Sequence, residues 1–418
     1  MRGLRLLYLG LGTSTAALNP FLVPILKQHG FDPGTIGLVM AFGAAGIFLG
    51  GPIWGHIGDY VIGRRRTLLA VAAVACAMAL AIAGPVSAPV LAVLIVCFQL
   101  SQGSITGLCD SLAVSNLDNP RRDYGRIRMM ASLSFGLVSI PFGFLYDRTG
   151  YTTAPSFVFV AAVCFLAAAA ALVPDHRPRR ETPTAGPAQL GSAEEAAGRS
   201  RAPRPMFGST GLAFHLQPRL FGVLVVVFLT WFAVMNSFIF LGLRIVDLGG
   251  QPSDVALSFG IAAFGEIPGL LIGARLVRYL GLRGLFFVGT IGFALTFLSW
   301  TVLDRPADII ASRVLTGVCY GGMMVAMVLT IGEILPPALQ ATGQTLYQAT
   351  AAGLASVVGT AIGGQLYGLI GAPFLFAVCA GFMLAGGLLG LAILPARVRR
   401  VDVSSELDDV VLPNTPVV

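Results

Sequence analysis

The stretch "GHIGDYVIGRRR", residues 55–66, joins two long apolar runs, and the related stretch "GARLVRYLGLRG", residues 273–284, joins two others. A shift of 218 residues aligns their glycines and arginines, so that Gly63 corresponds to Gly281. A similar shift aligns "GFLYDRTG" with the later "GQLYGLIG". These correspondences predict a fold made of two diverged copies of one unit.

The composition of the chain indicates that this unit lies in a membrane. The sequence has 418 residues, of which 56% are hydrophobic and only 11% are charged, whereas soluble domains carry about 25% charged residues. Apolar runs near 20 residues recur, which is the length that a transmembrane helix needs. The runs do not alternate in polarity as strands of a membrane β-barrel do. We therefore predict an all-α, polytopic membrane protein.

Twelve spans are predicted, which divide into two pseudo-symmetric six-helix bundles. Their approximate bounds are 5–27, 34–57, 66–84, 89–117, 125–147, 153–173, 219–243, 254–275, 284–303, 308–334, 340–369 and 373–396. The segment between the sixth and seventh spans is rich in Pro, Gly, Ala, Arg and Glu, a composition typical of disordered linkers. The predicted domains are a first bundle (1–173), a basic cytoplasmic linker (174–218), a second bundle (219–397) and a cytoplasmic tail (398–418).

The distribution of basic residues predicts the orientation of the chain. With the N-terminus in the cytoplasm, 22 of the 27 lysines and arginines fall in inside segments, as the positive-inside rule requires. The five assigned to outside segments are Lys27, Arg148, Arg244, Arg305 and Arg313. We expect a plasma (inner) membrane protein with both termini in the cytoplasm. Its basic charge then faces anionic lipid, and no nucleic-acid partner is needed to explain it.

Residue patterns for enzymatic chemistry are missing from the sequence. The six cysteines all fall in apolar runs, and neither CxxC nor HExxH occurs, so no metal or other cofactor is predicted. A nucleotide-binding Walker A motif does not occur either. A membrane enzyme or a sensor with a soluble module is therefore disfavoured. Two homologous six-helix halves favour a transporter whose site lies between them near the middle of the membrane.

Two charges of opposite sign occupy equal depths in neighbouring spans. Asp110 lies nine residues before Asn119, and Arg128 lies nine residues after it. If the chain turns at Asn119, both charges face each other within the bilayer, where each alone would cost about 2.5–3.5 kcal/mol. Pairing in a watery cavity makes both tolerable, and an arginine offers a planar fork of donors to a solute. The alternative is a purely structural ion pair.

The chain resembles the major facilitator superfamily in its twelve spans, its long central loop and its loop between spans 2 and 3. The residues that match the superfamily's gating-loop signature are Gly55, Asp59, Gly63, Arg64 and Arg65. The match is imperfect, because Tyr60 replaces a basic residue and one extra residue separates Asp59 from Gly63.

Three stretches resemble the lactose permease and nucleoside:proton symporter branch of that superfamily: "NPFLVPILKQHGFDPGTIGLV", "DYGRIRMMASLSF" and "FGEIP". The resemblance implies that Asp110 and Arg128 bind substrate and that Glu266 in span 8 couples transport to protons. Apolar surroundings penalise an ionised carboxylate, which suits reversible protonation. Phe135 stands where the lactose permease has a sugar-stacking tryptophan. Met323 and Met324 lie where many relatives have a histidine, which weakens the inference of proton coupling.

Uncharged polar side chains inside the spans complete the predicted cavity: Asn19, Asn236, Gln344 and Gln348. Each could instead hydrogen-bond neighbouring helices. We expect a monomeric secondary transporter whose partners are protons, lipid and a small polar solute. Proton symport of a sugar, nucleoside or organic acid is favoured, and proton-antiport efflux of drug-like or metabolite compounds is the alternative.

Overall fold

A computed structural model describes residues 2–117, 120–174, 219–335 and 339–396. The predicted linker lies outside the described residues except for Pro174, and the predicted tail (398–418) lies wholly outside them. Twelve described helices are long and apolar enough to cross a membrane, which confirms the predicted all-α class and number of spans. We number them α1 Arg2–Gln28, α2 Pro33–His56, α3 Arg64–Ile82, α4 Ala88–Ser115, α5 Pro120–Thr149, α6 Ala154–Ala171, α7 Arg219–Asp247, α8 and α9 within Pro252–Val302, α10 Pro306–Ile334, α11 340–369 and α12 Ala372–Ile393.

Helices α8 and α9 form one helical trace that breaks at Gly281, where φ is 70° and ψ is 178°. This region of backbone space is open almost only to glycine. Gly63, its counterpart in the sequence repeat, precedes α3 with φ 90° and ψ 149°. The predicted correspondence between these two loops therefore extends to an unusual backbone conformation.

The repeat is visible in all the positive-φ glycines of the described residues, which form three pairs. Gly30 (φ 83°) and Gly249 (φ 82°) end α1 and α7, and Gly150 (φ 81°) and Gly371 (φ 106°) follow α5 and α11. Gly63 and Gly281 are the third pair. The separations are 219, 221 and 218 residues respectively, close to the shift that the sequence motifs predict.

Side-chain caps and prolines set where several helices begin. Pro33 starts α2, and the carboxylate of Asp32 accepts a hydrogen bond from the Thr35 amide at 2.9 Å. Hydrogen bonds from Thr35 lower the pKa of Asp32. At α8, Pro252 occupies the first turn and Asp254 accepts a hydrogen bond from the Gln251 amide at 2.8 Å. Proline suits such positions because the first amides of a helix have no partner within it.

Two helices contain a widened π-helical turn. One extends α2 through Ile57–Val61, and the other, Ala349–Ala355, lies inside α11. Immediately before the second turn, Tyr347 is buried, with its hydroxyl 3.3 Å from the sulfur of Met324 and its ring packed edge-on against Trp231. Such turns add one residue to a helix and often occur at functional sites.

The helices form two halves, α1–α6 and α7–α12, which meet along α2 with α11 and along α5 with α8. At the first seam a Cβ on Gly37 would lie 2.6 Å from the carbonyl oxygen of Thr360, so the backbones nearly touch. At the second, a Cβ on Gly143 would lie 2.6 Å from the side chain of Ala256. The glycines permit this close approach, and the predicted pair of six-helix bundles is confirmed.

The two halves contact each other at the end that the predicted topology assigns to the outside, which we call the outer end. There, Asp147 of α5 accepts a hydrogen bond from the amide of Ser253 in α8 at 2.8 Å, and the ammonium of Lys27 lies 3.4 Å from the carboxylate of Asp247. At the opposite, inner end of α2, a Cβ on Gly51 would meet nothing within 4 Å. The described contacts between the two halves therefore lie toward the outer end.

Candidate functional site

The predicted pair of charges is in contact. One terminal nitrogen of Arg128 in α5 lies 2.8 Å from each carboxylate oxygen of Asp110 in α4, and the hydroxyl of Tyr8 in α1 donates a hydrogen bond to Asp110. The side chains of Arg128 and Asp110 are 45% and 28% exposed. Both residues lie toward the inner ends of their spans, where charged side chains are expected to face water or a partner rather than lipid. Tyr8 is thus the third member of a hydrogen-bonded group with Asp110 and Arg128, and the sequence did not indicate it.

A cavity of about 210 Å³ lies between α5 of the first half and α7 to α10 of the second. Five of its thirteen lining residues are aromatic, two are charged, and three of the others carry hydroxyls. The lining residues are Ser132, Phe135, Ser237, Phe238, Phe259, Ala262, Ala263, Glu266, Phe293, Arg313, Thr316, Gly317 and Tyr320. Phe135 and Glu266, both predicted as site residues, therefore share one cavity.

One face of α5 connects the ion pair to the cavity. Arg128, Ser132 and Phe135 are spaced by four and three residues, so they lie along the same side of the helix. Arg128 therefore lies on the face of α5 that presents Ser132 and Phe135 to the cavity that Glu266 also lines.

Arg313 is the main correction to the sequence analysis. It was assigned to an outside segment, but it lies one-quarter of the way along α10, is 2% exposed and lines the cavity. Its Nε donates to the carbonyl oxygen of Ser258 at 3.3 Å, and its Nη1 donates to the hydroxyl of Thr316 at 3.2 Å. The signal in the sequence was its place seven residues into an apolar span.

Aromatic rings surround the guanidinium of Arg313. Its central carbon lies 6.0 Å from the ring centres of Phe238 and Phe259 and 5.9 Å from that of Trp300. The negative faces of such rings attract a cation. No carboxylate lies within ion-pair distance of Arg313 among the residues that the structure describes.

The polar amides predicted to line the cavity lie elsewhere. Asn236 in α7 is fully buried, donates to the carbonyl oxygen of Phe232 at 2.8 Å, and has an Oδ1 without a partner. Asn19 begins a tight turn within α1, and its Oδ1 is also buried without a partner. In α11, Gln344 donates to the carbonyl oxygen of Val328 at 3.4 Å and Gln348 is exposed. None of the four is among the residues that enclose the cavity.

The predicted gating loop connects α2 to α3 at the inner end. Gly55 lies in the last turn of α2, Gly63 has its positive φ, and Arg64 donates to the carbonyl oxygen of Ser111 in α4 at 3.4 Å. Arg65 is half-buried. The side chain of Asp59 lies outside the described part of the chain. The loop is thus tied to the inner end of the same half.

The described residues contain no group of three or more His, Cys, Asp or Glu side chains placed to hold a metal ion. The charged groups that remain in the spans are suited to binding a solute or a proton. Two six-helix halves with a cavity between them define a membrane transporter.

Comparison with known proteins agrees with this class. The chain belongs to the MFS_1 like family, whose model matches residues 2–378, and the predicted membership of the major facilitator superfamily is confirmed. It is 27% identical to the maltose permease of Geobacillus stearothermophilus over 92% of this chain and 91% of that protein.

Two solved structures share the fold. A mutant of the nucleoside transporter NupG superposes with a TM-score of 0.74 at 14% identity, covering 94% of this chain and 98% of that one. The D-xylose-proton symporter gives a TM-score of 0.69 at 15% identity, with 94% and 97% covered.

Proposed function

We propose that this transporter moves a small polar solute together with protons by alternating access. The observation that carries the proposal is the single cavity that Glu266 shares with a wall from the opposite half of the molecule. A carboxylate there can change its protonation whenever the halves rearrange around it. The solute and the proton would then occupy one site, which is the simplest way to couple their movements.

The ion pair extends this site toward the inner end. The side chains of Arg128 and Asp110 are 45% and 28% exposed, and Arg128 lies one helical turn from Ser132 in the cavity wall. A guanidinium can donate two parallel hydrogen bonds to hydroxyl or carboxylate oxygens. We propose that the pair makes the first contact with a solute that enters from the inner side, and that the ring of Phe135 stacks against the solute. The loop from Gly55 to Arg65 is the corresponding inner gate.

The substrate class that the relatives favour is a sugar or a nucleoside. The maltose permease, at 27% identity, and the superposed nucleoside and xylose transporters support these two classes. An organic acid is the third class, supported by the arginines at the site. A second candidate function, efflux by proton antiport, is favoured by the five aromatic side chains in the cavity wall, which suit apolar compounds.

Uptake into proteoliposomes distinguishes these possibilities. A pentose, a disaccharide, a nucleoside and an aromatic acid are offered with and without an imposed pH gradient. Symport predicts accumulation toward the alkaline side, and a gradient of one pH unit supports about tenfold accumulation for one proton per solute. Antiport predicts the opposite direction. Solute movement that ignores the gradient would contradict both mechanisms.

Glu266→Gln tests the coupling residue itself. The amide keeps the shape of the side chain but cannot bind or release a proton, so uphill accumulation should vanish while solute exchange at equal pH persists. Glu333→Gln is the matched control, because Glu333 lies at the inner end of α10 and does not line the cavity. Normal accumulation by Glu266→Gln would remove Glu266 from the mechanism.

A further inference from the structure

Arg313 and the rings around it point to an acidic solute: we infer that the cavity binds a small carboxylate with an aromatic or apolar body. This inference rests on the proposed function, because it takes the cavity to be the solute site. Of the three proposed substrate classes, sugar, nucleoside and organic acid, it selects the organic acid. Three features support it: a buried cation with incomplete hydrogen bonding, the balance of charge in the cavity, and the chemistry of the cavity walls.

The hydrogen bonding of Arg313 is incomplete. A guanidinium has five N–H donors. Nε and Nη1 each have one partner, Ser258 and Thr316, while Nη2 donates to no described residue. A buried charge without a counter-ion is costly, and the aromatic rings compensate only part of that cost. A carboxylate in the cavity would supply both the missing acceptors and the missing charge.

The balance of charge around the cavity favours an anion. Arg313 and Glu266 both line the cavity without forming an ion pair. Arg128 is already paired with Asp110. When Glu266 carries a proton, Arg313 is therefore the one uncompensated charge among the cavity-lining residues that the structure describes. A monocarboxylate bound with one proton on Glu266 leaves the site neutral.

The walls define the rest of the solute. Phe135, Phe238, Phe259 and Phe293 offer ring faces and edges, beside four residues that carry hydroxyls. Rings of this kind pack well against a planar or apolar body. A sugar, by contrast, needs a partner for each of several hydroxyl groups. The cavity volume of about 210 Å³ restricts the solute to a small molecule.

Binding of benzoate and of benzamide separates charge from shape, because the two molecules have nearly the same size. Isothermal titration calorimetry on the full-length protein in detergent should show benzoate binding tighter than benzamide by about tenfold or more. In Arg313→Gln this preference should disappear, and in Arg313→Lys it should be reduced. Arg305→Gln removes an equal charge from the exposed start of α10 and should keep the preference.

The inference is overturned if wild-type protein binds benzamide, a pentose or a nucleoside as tightly as benzoate, or if Arg313→Gln retains the preference. The comparison of the two ligands on wild-type protein remains decisive even if Arg313→Gln does not fold. Failure here is distinct from failure of the proposed function. Proton-coupled uptake of neutral solutes alone would refute the acidic solute, whereas uncoupled uptake of acids would refute the symport.

Discussion

Removal of the Asp147 carboxylate should open the outer end of the molecule. Asp147 of the first half accepts a hydrogen bond from the Ser253 amide of the second half at 2.8 Å, at the first turn of α8. A carboxylate at a helix N-terminus satisfies an amide that has no partner within the helix and interacts favourably with the helix dipole. Because the contact joins the two halves, it exists only while the outer end is closed.

The size of the effect follows from the geometry. Replacing a capping carboxylate by alanine costs about 0.5–2 kcal/mol, and the exposed position of Asp147 places this contact near 1 kcal/mol, in the lower part of that range. Since the whole contact is lost on opening, Asp147→Ala should shift the equilibrium toward the outer-open state by about fivefold.

The shift can be measured by double electron–electron resonance. Nitroxide labels on Ser87→Cys and Arg305→Cys report the distance between exposed outer loops of opposite halves, once the six native cysteines are replaced. The population at long distance should grow in Asp147→Ala. Asp254→Ala is the matched control, because Asp254 caps the same helix through the Gln251 amide within one half.

An unchanged distance distribution in Asp147→Ala would refute the assignment of this contact to the outer closure. An equal shift in Asp254→Ala would refute it as well, since the effect would then reflect fraying of α8 rather than a lost contact between the halves.

Two further predictions concern the ion pair and the loop glycines. Arg128→Ala should weaken solute binding by about tenfold or more, because a charged partner of the solute is lost. Titration of the variant with the transported solute measures this affinity. An unchanged affinity would mean that the ion pair has a structural role only. Gly281→Ala should destabilise the protein by about 1–3 kcal/mol because its backbone has φ 70° and a Cβ would collide with the carbonyl oxygen of Ala396. Gly51→Ala, a helical position with open space around the added Cβ, should not destabilise it, and thermal unfolding in detergent compares the two.

The sequence predicted the contacts that chain geometry dictates. Asp110 and Arg128 are each nine residues from Asn119 in the sequence, and α4 ends at Ser115 while α5 begins at Pro120, so two antiparallel helices bring them together wherever the helices sit in the bundle. The glycine pairs follow from the repeat in the same way. Such relations depend only on helical rise and on the positions of the turns, both of which the apolar runs reveal.

Contacts that depend on helix rotation were not predictable in this way. Arg313 is near one end of its span, where a long basic side chain can reach the membrane surface, and the sequence does not show that it turns inward against Trp300 and Phe238. Asn236 lies in the middle of α7, which favoured the cavity, yet it faces α11, where a Cβ on Gly363 would overlap its Oδ1. Periodicity identifies an amphipathic face, but an almost wholly apolar helix has none to identify.

The π-helical turn Ala349–Ala355 gives α11 a particular tolerance to a change in chain length. Such a turn takes up one extra residue by winding more loosely, so loss of a single residue there would restore a regular α-helix and leave the segments on either side in nearly the same relative orientation. Tyr347 would keep its contacts with Met324 and Trp231, and the seam between Gly364 and Gly37 would stay in register. A one-residue deletion elsewhere in α11 would instead rotate one part of the helix by about 100° relative to the other.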